Sequence, residues 1–71
     1  MAVTQAEVGR RVRAAREACR LTQDQVAEVL GLSRSSVAQV ELGNRPISSI
    51  ELDRLAYHLG RDVREFLRGD L

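Results

Sequence analysis

Arg34 stands where a positive charge is least at home unless something negative meets it. It follows Ser33, a residue suited to starting a helix, so its guanidinium falls in the first helical turn. A cation there opposes the helix dipole by roughly 0.3–1 kcal/mol, a cost that an anion facing the turn would remove. The plain alternative is a solvated arginine. Glu41, near the other end of the same segment, is the mirror case: an anion in a last turn is also unfavourable and calls for a cation. The chemistry suggested by this pair is charge recognition.

Catalytic chemistry finds little to work with. His58 is the single histidine and Cys19 the single cysteine, and neither has a partner nearby in sequence that would make a nucleophile, base or metal ligand of it. His58 reads as a polar surface residue, and Cys19 as a small core residue in register with Val8, Val12 and Ala15. There is no GxxxxGK[ST] loop and no metal-ligand spacing. A protein that binds rather than catalyses is expected, with no cofactor and no metal. Tyr57 and Phe66 are the only aromatics, too few to stack unpaired bases, so duplex DNA stands ahead of single strands as a nucleic-acid partner.

The formal net charge of +1 identifies no partner, but its distribution is uneven. Up to Leu21 five arginines (Arg10, Arg11, Arg13, Arg16 and Arg20) face two acids, Glu7 and Glu17. From there to Leu42, Arg34 stands against Asp24, Glu28 and Glu41. The basic excess could meet phosphate; charge alone favours a solvated helix face.

The elements that must hold these residues are marked by caps. Thr4 with Glu7, Thr22 with Gln25, Ser48 with Glu51 and Asp62 with Glu65 each set a short polar side chain three residues before Glu or Gln, the capping-box spacing. Ser33 is a plain N-cap. Gly31, Gly43 and Gly60 follow apolar-periodic stretches, and Pro46 lies where a helix has already stopped. The spacing predicts helices at about Gln5 to Cys19, Gln23 to Leu30, Arg34 to Leu42, Ser49 to Leu59 and Val63 to Arg68. Their inner faces are Val8, Val12, Ala15 and Cys19; Val26, Ala27 and Leu30; Val37 and Val40; Ile50, Leu55, Ala56 and Leu59; and Val63, Phe66 and Leu67, closing one core.

No segment alternates with period two, so the fold class is all-α. At 71 residues the chain is one domain, residues 1–71, burying only about 60% of its unfolded surface. It is 44% hydrophobic and 30% charged, apolar enough to fold. No apolar run reaches membrane-span length and the N-terminus lacks the order of a signal peptide, so the cytoplasm is the expected compartment and no membrane the expected partner.

The most informative stretch is Gln23 to Leu42, two helices joined by only Gly31, Leu32 and Ser33. So tight a turn needs a small residue where the helices approach, a residue free to take positive φ, and a buried inner side on the second helix. Ala27, Gly31, Leu32, Val37 and Val40 meet those demands in order. With Leu21-Thr22-Gln23 before them and Glu41, Gly43, Arg45 and Pro46 after, the chain resembles the Cro/lambda-repressor (Xre) family of helix-turn-helix domains from Val8 to Phe66.

The resemblance implies a compact five-helix, lambda-repressor-like domain whose helices 2 and 3 form the helix-turn-helix. The third helix would enter the major groove and the start of the second would meet the backbone. Arg34, Ser35 and Gln39 match base-reading positions. Their chemistry suits this: Arg can bond guanine O6 and N7 together, Gln can bond adenine N6 and N7, and Ser tolerates several bases. Gln23 matches a phosphate-bonding glutamine that braces the recognition helix. Asn44 and Arg45 match phosphate-contacting positions, with Ser36, Arg10 and Arg13 as further candidates; for the Ser36 hydroxyl, burial against helix 2 competes. Arg16 matches the arginine that pairs with Glu41, implying a structural ion pair.

The implied function is sequence-specific binding of double-stranded DNA as a transcriptional regulator, a repressor, acting as a homodimer on an inverted-repeat operator. Two departures stand out. Arg20 occupies a place where the family often has Gly or Asn, which predicts a looser or strained turn. The short fifth helix and the end at Leu71 leave dimerisation open. Two alternatives remain: an antitoxin-like protein-interaction module with the same fold, and the N-terminal part of a longer regulator with a further C-terminal domain.

Overall fold

The computed structural model describes residues 3–68. Five helices run in order, α1 (Gln5–Ala18), α2 (Gln23–Leu30), α3 (Arg34–Glu41), α4 (Ser49–Leu59) and α5 (Arg64–Leu67), and no strand occurs among the described residues. The all-α, five-helix expectation is borne out. α1 and α3 each stop one residue early, and α5 is a single turn, because the last predicted residues already turn away.

The start signals work with unequal completeness. Thr22 with Gln25 and Ser48 with Glu51 form complete capping boxes. Thr4 accepts from the Glu7 amide, but the Glu7 carboxylate turns to Arg10 and Arg11 instead of reaching back. Those two arginines hold its carboxyl below the usual range. At α5 the Glu65 carboxylate accepts from the Asp62 amide as the capping box expects, but the Asp62 carboxylate accepts from the Arg64 amide, one residue short of the expected Glu65 amide.

The first four helices end in the same hydrogen-bonded reversal. After α1 the Leu21 amide donates to the Arg16 carbonyl and the Arg20 amide to that of Glu17; α2, α3 and α4 repeat the scheme around Gly31, Gly43 and Gly60. The reversal needs a left-handed residue. Glycine supplies it three times, and Arg20, with φ 57°, supplies it after α1 as the one non-glycine at positive φ among the described residues. The strain expected of that turn is therefore located at a single residue.

The core is built from Val8, Val12 and Ala15 of α1, Val26, Ala27 and Leu30 of α2, Val37 of α3, Leu52, Leu55 and Ala56 of α4, and Phe66 of α5. Three expectations are corrected. Ile50 is 70% exposed and Leu52 takes its place, because Leu52 lies three, four and seven residues before Leu55, Ala56 and Leu59, the spacing of one helix face. Cys19 is only half-buried, since the helix ends just before it. Leu67 is 48% exposed, because a one-turn helix can aim only Phe66 inward.

α1 lies directly on α3. Gly9 is buried in α1, and a Cβ there would stand 2.2 Å from the Val40 carbonyl oxygen. Only glycine lets these backbones meet. Gly43 combines positive φ with close approach to Ala6, whose Cα would be 2.8 Å from an added Cβ. Among the described residues no helix is long and apolar enough to cross a membrane.

Candidate nucleic-acid interface

α3 is held by its two ends and its inner face. Ser33 starts it by accepting from the Ser36 amide, while Gly31 at φ 68° turns the chain out of α2. Val37 and Val40 are buried beneath it. Glu41 is buried too, at 8% exposure, and three side-chain hydrogen bonds satisfy it. Arg16 Nε donates to Glu41 Oε2 at 2.6 Å and Arg16 Nη2 to Oε1 at 3.0 Å. Gln23 Nε2 donates to the same Oε1 at 3.1 Å.

A fourth bond, from Arg16 Nη1 to the Leu21 carbonyl at 2.9 Å, ties the cluster to the turn after α1. Hydrogen bonding to Glu41 raises the Arg16 pKa above its ordinary value, against the opposing effect of burial. One arginine thus joins α1, the α1–α2 turn and the end of α3, with Gln23 adding the start of α2. The carboxylate that opposed the α3 dipole is neutralised by a forked guanidinium.

The other side of α3 faces outward. Arg34, Ser35 and Gln39 are all exposed, and Ser36 is half-buried, its hydroxyl accepting from Ser33 Oγ at 3.0 Å. Arg34 makes no ion pair among the described residues, whereas Arg10, Arg13 and Arg45 are each paired. It borders a shallow depression with Arg16, Leu21, Thr22, Gln23 and Asp24. This joins the start of α2 to the start of α3, the two helix ends whose amide dipoles favour an anion.

The remaining sequence candidates are partly engaged within the protein. Gln23 has one amide proton on Glu41 and a second still free to donate. Asn44 Nδ2 donates to Gln39 Oε1 at 3.1 Å. Arg45 Nη1 lies 3.1 Å from the Pro46 carbonyl and 3.4 Å from Glu51 Oε1. The Ser48 amide, and after it Arg45, hold the Glu51 carboxyl below its usual range despite burial. Arg10 and Arg13 lie on the solvated face of α1, in ion pairs with Glu7 and Glu17. They are not part of the α2–α3 depression.

Two residues of the outward face escaped the sequence reading. Leu42 is 64% exposed and Ala38 half-buried; with Ser35 they share one side of α3 at spacings of three, four and seven. Counting from Ser35 would have found them, but Leu42 reads as a helix end and Ala38 as filler. Together they give the face an apolar component suited to a thymine methyl.

The helix-turn-helix domain family matches residues 7–68 of the chain. Among solved structures, the restriction-modification controller protein C.AhdI from Aeromonas hydrophila is 37% identical with a TM-score of 0.79, over 87% of this chain and 94% of that one. The P22 c2 repressor, crystallised in complex with a synthetic operator, is 25% identical with a TM-score of 0.78, over 89% and 96%. The clp gene regulator ClgR from C. glutamicum shares the fold, with a TM-score of 0.80 at 24% identity over 87% and 80%. No curated protein sequence gives a significant match.

Proposed function

We propose that this chain, which belongs to the helix-turn-helix domain family, is a transcriptional regulator that binds double-stranded DNA sequence-specifically and acts as a repressor in the cytoplasm. The observation that carries this reading is the contrast across α3: Glu41 on its inner side is locked to Arg16, while Arg34 on its outer side is exposed and makes no ion pair among the described residues. A rigid helix with an unpaired guanidinium at its N-terminal end is suited to the major groove. The P22 c2 repressor, of similar fold, was crystallised with an operator, which favours DNA as the partner here.

In this reading Arg34, Ser35 and Gln39 meet base edges. Gln23, Ser36, Asn44 and Arg45 meet phosphate, and Arg10 and Arg13 add a longer-range attraction. Phosphate contacts position the protein and supply affinity, while base contacts supply specificity. Two copies would bind an inverted repeat with half-sites about 34–36 Å apart, one helical turn. The function is recognition, and no residue is assigned a catalytic role.

Selection from a random duplex library at fixed, moderate salt tests this, since affinity without a stated salt concentration has no meaning. An enriched inverted repeat is expected. A single enriched half-site would retain DNA binding and remove the homodimer. No enrichment would overturn the reading in favour of a protein-interaction module.

A further inference from the structure

Gln39 and Asn44 are tied together twice. The Asn44 backbone amide donates to the Gln39 carbonyl at 2.9 Å within the reversal that ends α3. That reversal, made possible by Gly43 at φ 81°, brings the Asn44 side chain back over the helix, where Nδ2 donates to Gln39 Oε1 at 3.1 Å. Both residues are exposed, so the contact lies on the outward face and not in the core.

A glutamine amide is planar, with an acceptor on one arm and two N–H donors on the other. Holding Oε1 against Asn44 therefore fixes where Nε2 points. Among the described residues Nε2 makes no hydrogen bond, so its donors are the part of Gln39 left to meet a ligand. In the major groove guanine offers acceptors at both O6 and N7 and thymine at O4, whereas adenine sets a donor, N6, beside its one acceptor, N7, and cytosine offers the donor N4. The usual match of glutamine to adenine needs an outward Oε1, and turning the Gln39 amide over sets Nε2 against Asn44 Nδ2, two donors face to face, unless the Asn44 amide turns with it.

We infer that Asn44 is a positioning residue that sets the polarity of Gln39, so that Gln39 selects a keto base, guanine or thymine, over an amino base. This rests on the reading of α3 as the base-reading helix. A phosphate contact by Asn44 is compatible with it, because Nδ2 carries a second proton.

Three variants in matched duplex selections at one salt concentration test the inference. Gln39→Ala identifies the base position concerned, as the one that loses its preference. Asn44→Asp cannot donate and would accept from Nε2, turning the amide over; Gln39→Glu offers only acceptors and should imitate it. The wild type is expected to favour a keto base there by about fivefold or more, the lower end for one good base contact. Both Asn44→Asp and Gln39→Glu should move that position from G to A or from T to C.

The added negative charge would weaken binding to every sequence, so base preference, and not affinity, is the readout. An amino base preferred by the wild type would overturn the inference, as would an unchanged preference in Asn44→Asp. A wild type that enriches nothing would overturn the DNA-binding reading itself, and this inference with it.

Discussion

Arg16 and Glu41 lie 25 residues apart in the chain and meet as a two-pronged pair, Nε on Oε2 at 2.6 Å and Nη2 on Oε1 at 3.0 Å. Their side chains are only 12% and 4% exposed. A buried pair is weak evidence of net stabilisation by itself, because desolvating both charges offsets their attraction. What matters is that neither can be removed alone. Glu41 without Arg16 is a carboxylate left in the protein with only Gln23 to answer it.

Arg16→Ala should therefore lower unfolding stability by about 3 kcal/mol or more, the range seen when one member of a buried pair is deleted. Urea denaturation gives the value from the shift in midpoint. A change within about 0.5 kcal/mol would end the structural role assigned to the pair.

Arg20 should behave in the opposite way. It occupies the left-handed slot that Gly31, Gly43 and Gly60 fill elsewhere, at a cost of roughly 1–2 kcal/mol for an ordinary side chain. Glycine removes that strain but adds freedom to the unfolded chain. Arg20→Gly should stabilise by up to about 1 kcal/mol, visible as a Tm rise of about 4–8 °C per kcal/mol. A lowered Tm would show that the turn carries no strain.

Gly9→Ala should destabilise by about 1–3 kcal/mol, as overpacking does. The added methyl would stand 2.2 Å from the Val40 carbonyl, and backbone on both sides leaves little room to yield. DNA affinity should fall with it, since α1 supports α3. Thermal unfolding and a binding isotherm on the same sample check both, and unchanged values in each would contradict the close packing of α1 on α3.

Acid should loosen the α5 end. Arg64, through its side chain and its backbone amide, lowers the Asp62 pKa from 3.8 to about 2. Because the folded value is the lower one, the contribution is fully present above the unfolded pKa and is lost as pH falls from about 4 towards 2. An NMR titration should find the Asp62 midpoint near 2 and rising amide exchange in α5 over that interval. A midpoint at the ordinary carboxylate value would contradict the Asp62–Arg64 contact.

Much of the fold was legible because its punctuation is local. Caps lie three residues from their partners and glycines mark the reversals, so element order and the α2–α3 turn could be read directly. Ile50 misleads because it lies five residues before Leu55, off the face that Leu52, three residues before Leu55, shares with it. Gly9 was overlooked although an isolated glycine between Val8 and Val12 is itself a packing signal. The proximity of Arg16 to Glu41 has no local signal across 25 residues, and only the family resemblance pointed to it. The Asn44–Gln39 contact depends on how Gly43 folds the chain back, which no periodicity reveals.

The central claim is that α3 reads DNA through its outward face, and Arg34 tests it most directly. Wild type and Arg34→Ala should be compared by quantitative binding to the selected duplex and to every single-base variant of it, at one salt concentration. The account predicts that the variant loses preference at one base pair per half-site, at about 1–3 kcal/mol, and keeps it elsewhere. An Arg34→Ala protein with the wild-type preference and affinity would contradict it.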